Sequence, residues 1–182
     1  MLRSSVFAVA LALLIMLAAS PAVPAAGEVA PSQATFGNFV ITVAPDPEST
    51  LSAAEYQITV RNEELLLSRL SAPYSGVLSK SFVADLNRDG AFEVVVTYTE
   101  AATHATAIKV YSWKDDLLQP LKLAELDEQQ KLGYRGDDEV AVMDGKLIRL
   151  FQVYELQGNE WAATAAQRKL HYSFDSGRWM TD

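Results

Sequence analysis

Short runs in which apolar and polar residues alternate follow one another along most of this chain from Phe36 onward. Residues 39–43 and 56–60 are two such runs. A period of two places every second side chain on the same face of a strand. The turn-forming pair Asp144-Gly145 separates two later runs. The pattern predicts a single all-β, mainly antiparallel domain over residues 36–182, built as a sandwich or a barrel-like sheet.

One segment, residues 121–133, has the spacing of a helix instead of a strand. Its apolar residues Leu123, Leu126 and Leu132 are separated by about one or two helical turns, and Gly133 is a suitable stop. We therefore expect one short helix in an otherwise β domain. The sequence has no internal repeat that would suggest a second unit.

The N-terminus has the composition of a secretory signal peptide over residues 1–25. Arg3 precedes an apolar run over residues 6–19, and small residues follow this run up to Ala25. The run is shorter than the roughly 20 apolar residues that span a bilayer, and no other segment comes close. We predict cleavage after Ala25, a flexible lead-in over residues 26–35, and a periplasmic domain that does not insert into the membrane.

The charge of the chain restricts the partners that we expect for it. The formal net charge is −8, and loss of Arg3 with the signal peptide changes it to −9. An acidic surface repels nucleic acid and anionic membranes and favours a basic protein, although net charge also serves solubility. The chain contains no cysteine, so it forms no disulfide. The oligomeric state does not follow from the sequence.

Catalytic motifs are absent from the sequence. The two histidines, without cysteine, are too few for a zinc site. Neither a Gly-x-Ser-x-Gly nucleophile turn nor a phosphate-binding glycine loop occurs. An enzyme with two acidic residues that face each other in a cleft is a remote alternative. We therefore expect a non-catalytic domain. The aromatic residues could form a sugar-binding platform, but their spacing favours a role as core or loop anchors; they are Trp113, Tyr134, Trp161 and Trp179.

The segment "DLNRDGAFE", between two strand-like runs, spaces its oxygen-bearing side chains as calcium loops do. The candidate calcium ligands are Asp85, Asn87, Asp89 and Glu93. Gly90 permits a sharp turn, but Val96 occupies the position of the glutamate that closes a helix-flanked loop, which excludes an EF-hand. The alternatives are a strand-loop-strand calcium site and a metal-free hairpin tip in which side-chain oxygens accept backbone amides. Calcium is the one cofactor that the sequence suggests.

Two long stretches carry a resemblance to a known family. They are "APYSGVLSKSFVADLNRDGAFEVVV" and "GYRGDDEVAVMDGKLIRLFQVYELQGNEWAATAAQRKLHYSFDSGRW", within residues 72–100 and 133–179. In the order and spacing of their turns and strands, they resemble the bacterial periplasmic inhibitors of invertebrate-type lysozyme. The resemblance implies an antiparallel β fold in the periplasm and a protruding loop that blocks the active cleft of a lysozyme. Lysozymes are commonly basic, which agrees with the acidic composition.

The chain departs from that family in the loop that enters the enzyme. Family members have a Ser/Gly-rich loop ending in tyrosine after the strand that follows the Asp-rich turn. Residues 99–107 of this chain, "TEAATHATA", contain neither Ser-Gly nor tyrosine. The candidate partner-binding residues, selected by loop position alone, are Glu100, Thr103 and His104.

Two functions are therefore expected from the sequence. The first is an exported protein-binding domain that inserts a loop into a hydrolase cleft, with a basic protein such as a lysozyme as its partner. The alternative is a calcium-stabilised periplasmic β module that binds another protein or a glycan through its hairpin loops.

Overall fold

The computed structural model describes residues 31–49 and 54–181. These residues form twelve β-strands in three four-stranded antiparallel sheets. Within each sheet, strands that are consecutive along the chain pair with one another. The prediction of an all-β antiparallel fold is confirmed, and the sheets pack face to face without closing into a barrel. The predicted signal peptide lies outside the described residues.

Each sheet occupies one continuous part of the chain. The first sheet contains β1 Ser32–Phe36, β2 Phe39–Pro45, β3 Glu55–Asn62 and β4 Leu65–Pro73. The second sheet contains β5 Gly76–Ala84, β6 Glu93–Glu100, β7 Thr106–Lys114 and β8 Leu117–Leu121. The third sheet contains β9 Glu139–Met143, β10 Lys146–Gln157, β11 Glu160–Ser173 and β12 Arg178–Thr181.

Strand β1 begins inside the predicted lead-in of residues 26–35. It pairs with β2 from Ser32 opposite Val43 to Phe36 opposite Phe39. Burial alternates along β1, but two of its three less exposed residues are the small Ser32 and Ala34. Because these two residues are small and only weakly hydrophobic, the sequence does not show the alternation of burial along β1. The prediction of a flexible lead-in is therefore wrong for residues 32–35.

The second sheet is the middle layer of the domain. Its strand β6 is buried from Glu93 to Tyr98. Val94 and Val96 pack into a core shared with the first sheet, whereas Val95 packs into a second core shared with the third sheet. Alternate side chains of one strand point to opposite faces, so β6 contributes to both cores. Each fully buried valine contributes about 1.5–3 kcal/mol relative to an exposed one.

The short helix predicted for residues 121–133 is wrong, because the described residues contain no helix in this part or elsewhere. Leu121 ends β8, and the chain then packs against the third sheet without regular secondary structure. The amide of Ala124 donates to the Tyr172 hydroxyl at 3.3 Å, and its carbonyl accepts the Trp179 indole N–H at 2.9 Å. Tertiary partners thus satisfy backbone groups that a helix would have paired internally. Residues 31–49 and 54–181 therefore include no helix of the length and apolarity needed to cross a membrane.

Part of the helical pattern survives as a single capped turn. Asp127 and Gln130 exchange side-chain and backbone hydrogen bonds of 3.1 and 2.8 Å, in the manner of a capping box. The amide of Lys131 then donates to the Asp127 carbonyl at 2.9 Å. Gly133 ends the turn with φ of 75°, where an added Cβ would lie 2.5 Å from the Tyr154 carbonyl oxygen. Gly133 is therefore the stop that the sequence predicts, at the end of a turn instead of a helix.

Candidate functional site

The Asp-rich turn connects β5 to β6, at a hairpin end as the sequence predicts. Asp85 accepts the amide of Asp89 through Oδ1 and the amide of Gly90 through Oδ2, both at 3.1 Å. Arg88 and Gly90 have φ of 63° and 87°, in the left-handed region. The Asp85 carboxylate therefore closes the turn through backbone amides of the turn itself.

Glu93 is the buried anchor of this turn and has 0% of its surface exposed. Its Oε2 accepts the amide of Leu86 at 2.8 Å. Its Oε1 accepts Asn87 Nδ2 at 3.1 Å and the Ser112 hydroxyl at 3.0 Å. Burial raises the pKa of the Glu93 carboxyl above its ordinary value, and the hydrogen bonds from Leu86 and Ser112 partly offset this effect. Glu93 thus ties the turn to strand β7.

The four predicted calcium ligands lie in one turn, but their oxygens already accept hydrogen bonds. Asn87 Nδ2 stands between the carboxylates of Glu93 and Asp89, at 2.9 Å from Asp89 Oδ2. Asp89 Oδ1 accepts the amide of Ala91 at 2.8 Å. Among residues 31–49 and 54–181, no group of three or more His, Asp and Glu side chains is placed to hold a metal ion. This geometry favours the metal-free hairpin tip.

Addition of calcium is expected to leave the melting temperature of the purified protein unchanged. A calcium ion at this turn would have to displace the Asn87 amide from between Asp89 and Glu93, and would compete with backbone amides for Asp85. Thermal unfolding followed by circular dichroism, with calcium or with chelator, measures the effect. A rise that disappears in Asp89→Ala would contradict this expectation and establish a calcium site, since a ligand of the folded state raises its stability.

The three predicted partner-binding residues lie in the tight β6–β7 turn. The amide of Glu100 donates to the Ala105 carbonyl at 2.9 Å, and the amide of His104 donates to the Glu100 carbonyl at 3.0 Å. The Thr103 hydroxyl donates to Glu100 Oε2 at 2.8 Å. Thr103 and His104 are exposed, and His104 has φ of 56°. The turn is therefore a short, internally bonded tip with its polar side chains toward solvent.

The β10–β11 hairpin extends far beyond its neighbours in the third sheet. Strand β9 pairs with β10 over residues 146–150, and β12 pairs with β11 over residues 170–173. Residues 151–169 form the remainder of the hairpin, which we call the arm. Its base packs into the second core through Phe151, whereas residues 155–161 at its end are exposed. Near its end, Leu156 lies opposite Trp161 on the same face, and these side chains are 58% and 46% exposed. Apolar side chains of this size at the end of a projection are typical of docking surfaces.

A bulge in the arm is fixed by side-chain hydrogen bonds. The pairing register shifts between Gln152 and Tyr154. Gln152 Nε2 donates to the carbonyls of Thr164 and Ala166 at 2.6 and 2.7 Å. The Thr164 hydroxyl donates to the Val153 carbonyl at 2.8 Å. These bonds satisfy backbone groups that the irregular pairing leaves free, so the arm leaves the sheet in a defined direction.

Residues 135–137 contact both the β6–β7 tip and the arm and so link them in space. The guanidinium carbon of Arg135 lies 4.4 Å from the centre of the Trp161 ring. The amide of Asp137 donates to the His104 carbonyl at 3.3 Å. Gly136 packs so closely that an added Cβ would lie 2.8 Å from the same carbonyl oxygen. We define the tip-arm surface as the continuous set Glu100, Thr103, His104, Arg135, Leu156 and Trp161.

A buried ion pair holds the segment of residues 135–137 in place from the interior of the domain. The Arg149 guanidinium contacts the Asp138 carboxylate, whose side chain is fully buried. Arg149 also donates to the Tyr134 hydroxyl at 2.9 Å and lies over the Tyr134 ring. Burial raises the pKa of Tyr134 to about 12. Tyr134 and Asp138 flank residues 135–137, so this cluster holds both ends of the segment that joins the tip to the arm.

Sequence reasoning assigned Trp161 to the core or to a loop and overlooked Leu156 and Arg135 as surface groups. Trp113 and Trp179 are buried as expected, whereas Trp161 is exposed on the arm. The length of the strand-like pattern on both sides of Gly158 indicates a long hairpin, but not where its neighbouring strands end. Strands of this length, beside the much shorter β9 and β12, must project beyond them.

No model of a known protein family matches the chain, and no curated protein matches it.

Proposed function

We propose that this chain is an exported, non-catalytic protein-binding domain, similar to the periplasmic inhibitors of invertebrate-type lysozyme, that binds a basic hydrolase. The observation that supports the proposal is the tip-arm surface. It combines a short, internally bonded turn with a projecting arm that carries an exposed tryptophan. We propose that the arm enters the cleft of the hydrolase and that Glu100, Thr103 and His104 contact its rim.

Trp161 has the properties of an interface anchor. Tryptophan is enriched among the few residues that supply most of the binding energy in protein interfaces. Arg135 lies over the Trp161 ring, and Leu156 is its cross-strand neighbour, so both neighbours restrict the ring before a partner arrives. Side chains that are already ordered lose less conformational entropy on binding. The arm can therefore bury apolar surface at low entropic cost.

The charges around these apolar residues favour a basic partner. Glu155 and Glu160 are exposed on the arm beside Leu156 and Trp161. Glu100 lies in the tip, and the whole chain has a formal net charge of −8. Complementary charge accelerates association and selects the partner more than it increases affinity. The association rate should therefore fall as salt is added, because exposed charges are screened.

The alternative, a calcium-stabilised β module that binds another protein or a glycan through its hairpin loops, rests on the Asp-rich turn. The amides that occupy the oxygens of that turn favour the metal-free form. Sugar binding to Trp161 would require an open ring face, and Arg135 covers one face of the ring. Binding of oligosaccharide without any protein partner would favour this alternative.

Replacement of Trp161 with alanine is expected to weaken binding to an invertebrate-type lysozyme about thirtyfold, the effect of a typical anchor residue. The change removes exposed apolar surface, so the melting temperature should stay close to that of the wild type. Isothermal titration calorimetry measures the affinity. His104→Asn, which tolerates the left-handed backbone, tests the tip separately and should weaken binding less.

Leu117 provides a matched control for the arm. It is 58% exposed, as Leu156 is, but it lies in the β7–β8 hairpin and not in the tip-arm surface. Leu156→Ala should weaken binding, and Leu117→Ala should leave it unchanged. Equal affinities for Leu156→Ala, Trp161→Ala and wild type would exclude the arm from the interface.

A further inference from the structure

A polar cleft lies at the opposite end of β6 from the tip-arm surface. Three connections and the end of β11 form its walls. These connections are the Asp-rich turn, the β9–β10 turn and the β11–β12 turn. The cleft has a volume of about 300 Å³, sufficient for a molecule of monosaccharide size. The polar and charged residues that the argument uses are Asn87, Arg88, Lys146, His171, Ser173 and Asp175.

Two cations in this cleft have no counter-ion in contact. In the part of the chain that the structure describes, neither Arg88 nor Lys146 takes part in an ion pair or a side-chain hydrogen bond. Asp175 lines the same cleft but lies beyond ion-pair distance of both. The chain has 15 lysine and arginine residues against 23 aspartate and glutamate residues. Two cations without an ion-pair partner that line one cleft of an acidic protein leave a local site for a negative group.

The backbone that carries these cations is fixed before any ligand binds. Asp85 closes the turn around Arg88 through the amides of Asp89 and Gly90. Gly145, which precedes Lys146, packs against the same turn, since an added Cβ would lie 3.6 Å from the Asp85 carbonyl oxygen. A site on ordered backbone loses little entropy when it binds a ligand.

The cleft also offers hydrogen-bonding and apolar groups suited to a small organic molecule. Asn87 and His171 line the cleft but already have partners within the protein. The Ser173 hydroxyl accepts the Ser176 amide and can donate to a ligand, and Leu86 and Phe174 supply apolar surface. Arginine binds carboxylate and phosphate oxygens in pairs, and lysine binds them as a point charge. We propose that this cleft binds a small anion of about monosaccharide size, through a carboxylate or phosphate group held between Arg88 and Lys146. The site is independent of the tip-arm surface.

NMR titration of the isotopically labelled protein tests this proposal, with sodium glucuronate, inorganic phosphate and glucose as probes at constant ionic strength. We expect saturable shifts of the Arg88, Gly145 and Ser173 amides with an anionic probe and none with glucose. Binding of glucuronate alone would identify a sugar acid as the ligand type, and binding of phosphate alone would identify a phosphate group. Saturation by neither anion, or equal saturation by glucose, would overturn the proposal.

Three variants separate this site from general electrostatics. Arg88→Asn keeps a residue that tolerates the left-handed backbone, and Lys146→Gln changes an exposed side chain. Each should weaken anion binding about tenfold, the effect of losing one charged hydrogen-bonding group. Lys114→Gln removes the same charge from an exposed position outside the cleft and should have no effect. An equal loss in Lys114→Gln would show that only net charge matters and would overturn the proposal.

Discussion

Replacement of Asp138 with alanine is expected to lower the free energy of unfolding by about 3–5 kcal/mol, because removing one partner of a buried ion pair leaves the other charge uncompensated. Arg149 would then lack the carboxylate that it contacts, and the Tyr134 hydroxyl would be the one described hydrogen-bond acceptor left to it. Urea unfolding, followed by tryptophan fluorescence, measures the change. The segment of residues 135–137 would also lose one of its two supports, so lysozyme binding should weaken in conditions where the variant is still folded.

Two further variants show whether the ion pair causes this loss. Asp137→Asn removes a carboxylate from the adjacent, exposed position and tolerates the left-handed backbone there, so its stability should match the wild type. The double variant Asp138→Ala/Arg149→Ala should be more stable than the sum of its single changes predicts, because it leaves no unpaired charge. A loss below about 1 kcal/mol in Asp138→Ala would place this pair among weak surface ion pairs.

Replacement of Glu93 with alanine is the second change with a large expected effect. The side chain is fully buried, and its carboxylate accepts hydrogen bonds from the turn and from β7. Alanine would leave Leu86 N–H, Asn87 Nδ2 and the Ser112 hydroxyl without this acceptor. Each unsatisfied buried donor costs about 1–3 kcal/mol. Asn87 and Ser112 are only partly buried, so we expect a total loss at the low end of the sum for three donors, about 3–5 kcal/mol. Urea unfolding measures this loss, and NMR should show new amide shifts in the Asp-rich turn.

The pH dependence of stability provides an independent test of Glu93. Its pKa is raised in the folded protein, chiefly by burial, so folding disfavours its ionised form. The resulting stabilisation is fully present below the ordinary glutamate pKa of about 4.3 and is lost as pH rises through the raised folded value. Glu93→Gln removes this titration, so the variant should gain relative to the wild type as pH rises through that window. A constant difference between the two proteins would contradict this role.

The strand pattern was predictable where burial alternates along a strand, as in β2 and β3. The same reasoning failed at residues 121–133, where the leucine spacing of a helix is real but Tyr172 and Trp179 pair with the backbone of Ala124. A sequence pattern does not reveal such distant partners. Strand β1 was missed for a different reason: its inward residues include the small Ser32 and Ala34, which give a weak hydrophobic signal.

The candidate site was predictable only in part. Glu100, Thr103 and His104 followed from their position after β6, and the hairpin location of the Asp-rich turn followed from its flanking strands. The exposure of Trp161 did not follow, since a tryptophan in an alternating strand normally faces a core. It depends on where β9 and β12 end, and thus on tertiary pairing. The role of Glu93 as a buried hydrogen-bond acceptor was also not predictable. A glutamate at this position suits a calcium ligand and a buried acceptor equally well, so the sequence does not distinguish them.

Inhibition of lysozymes by the purified protein tests the central proposal most directly. The rate of cell-wall hydrolysis by invertebrate-type, chicken-type and goose-type enzymes would be measured against increasing amounts of wild type and Trp161→Ala. We expect the wild type to inhibit the invertebrate-type enzyme selectively and Trp161→Ala to require about thirtyfold more protein for the same inhibition. Absence of inhibition of all three enzymes by folded wild-type protein would contradict the proposal that the tip-arm surface blocks a lysozyme cleft.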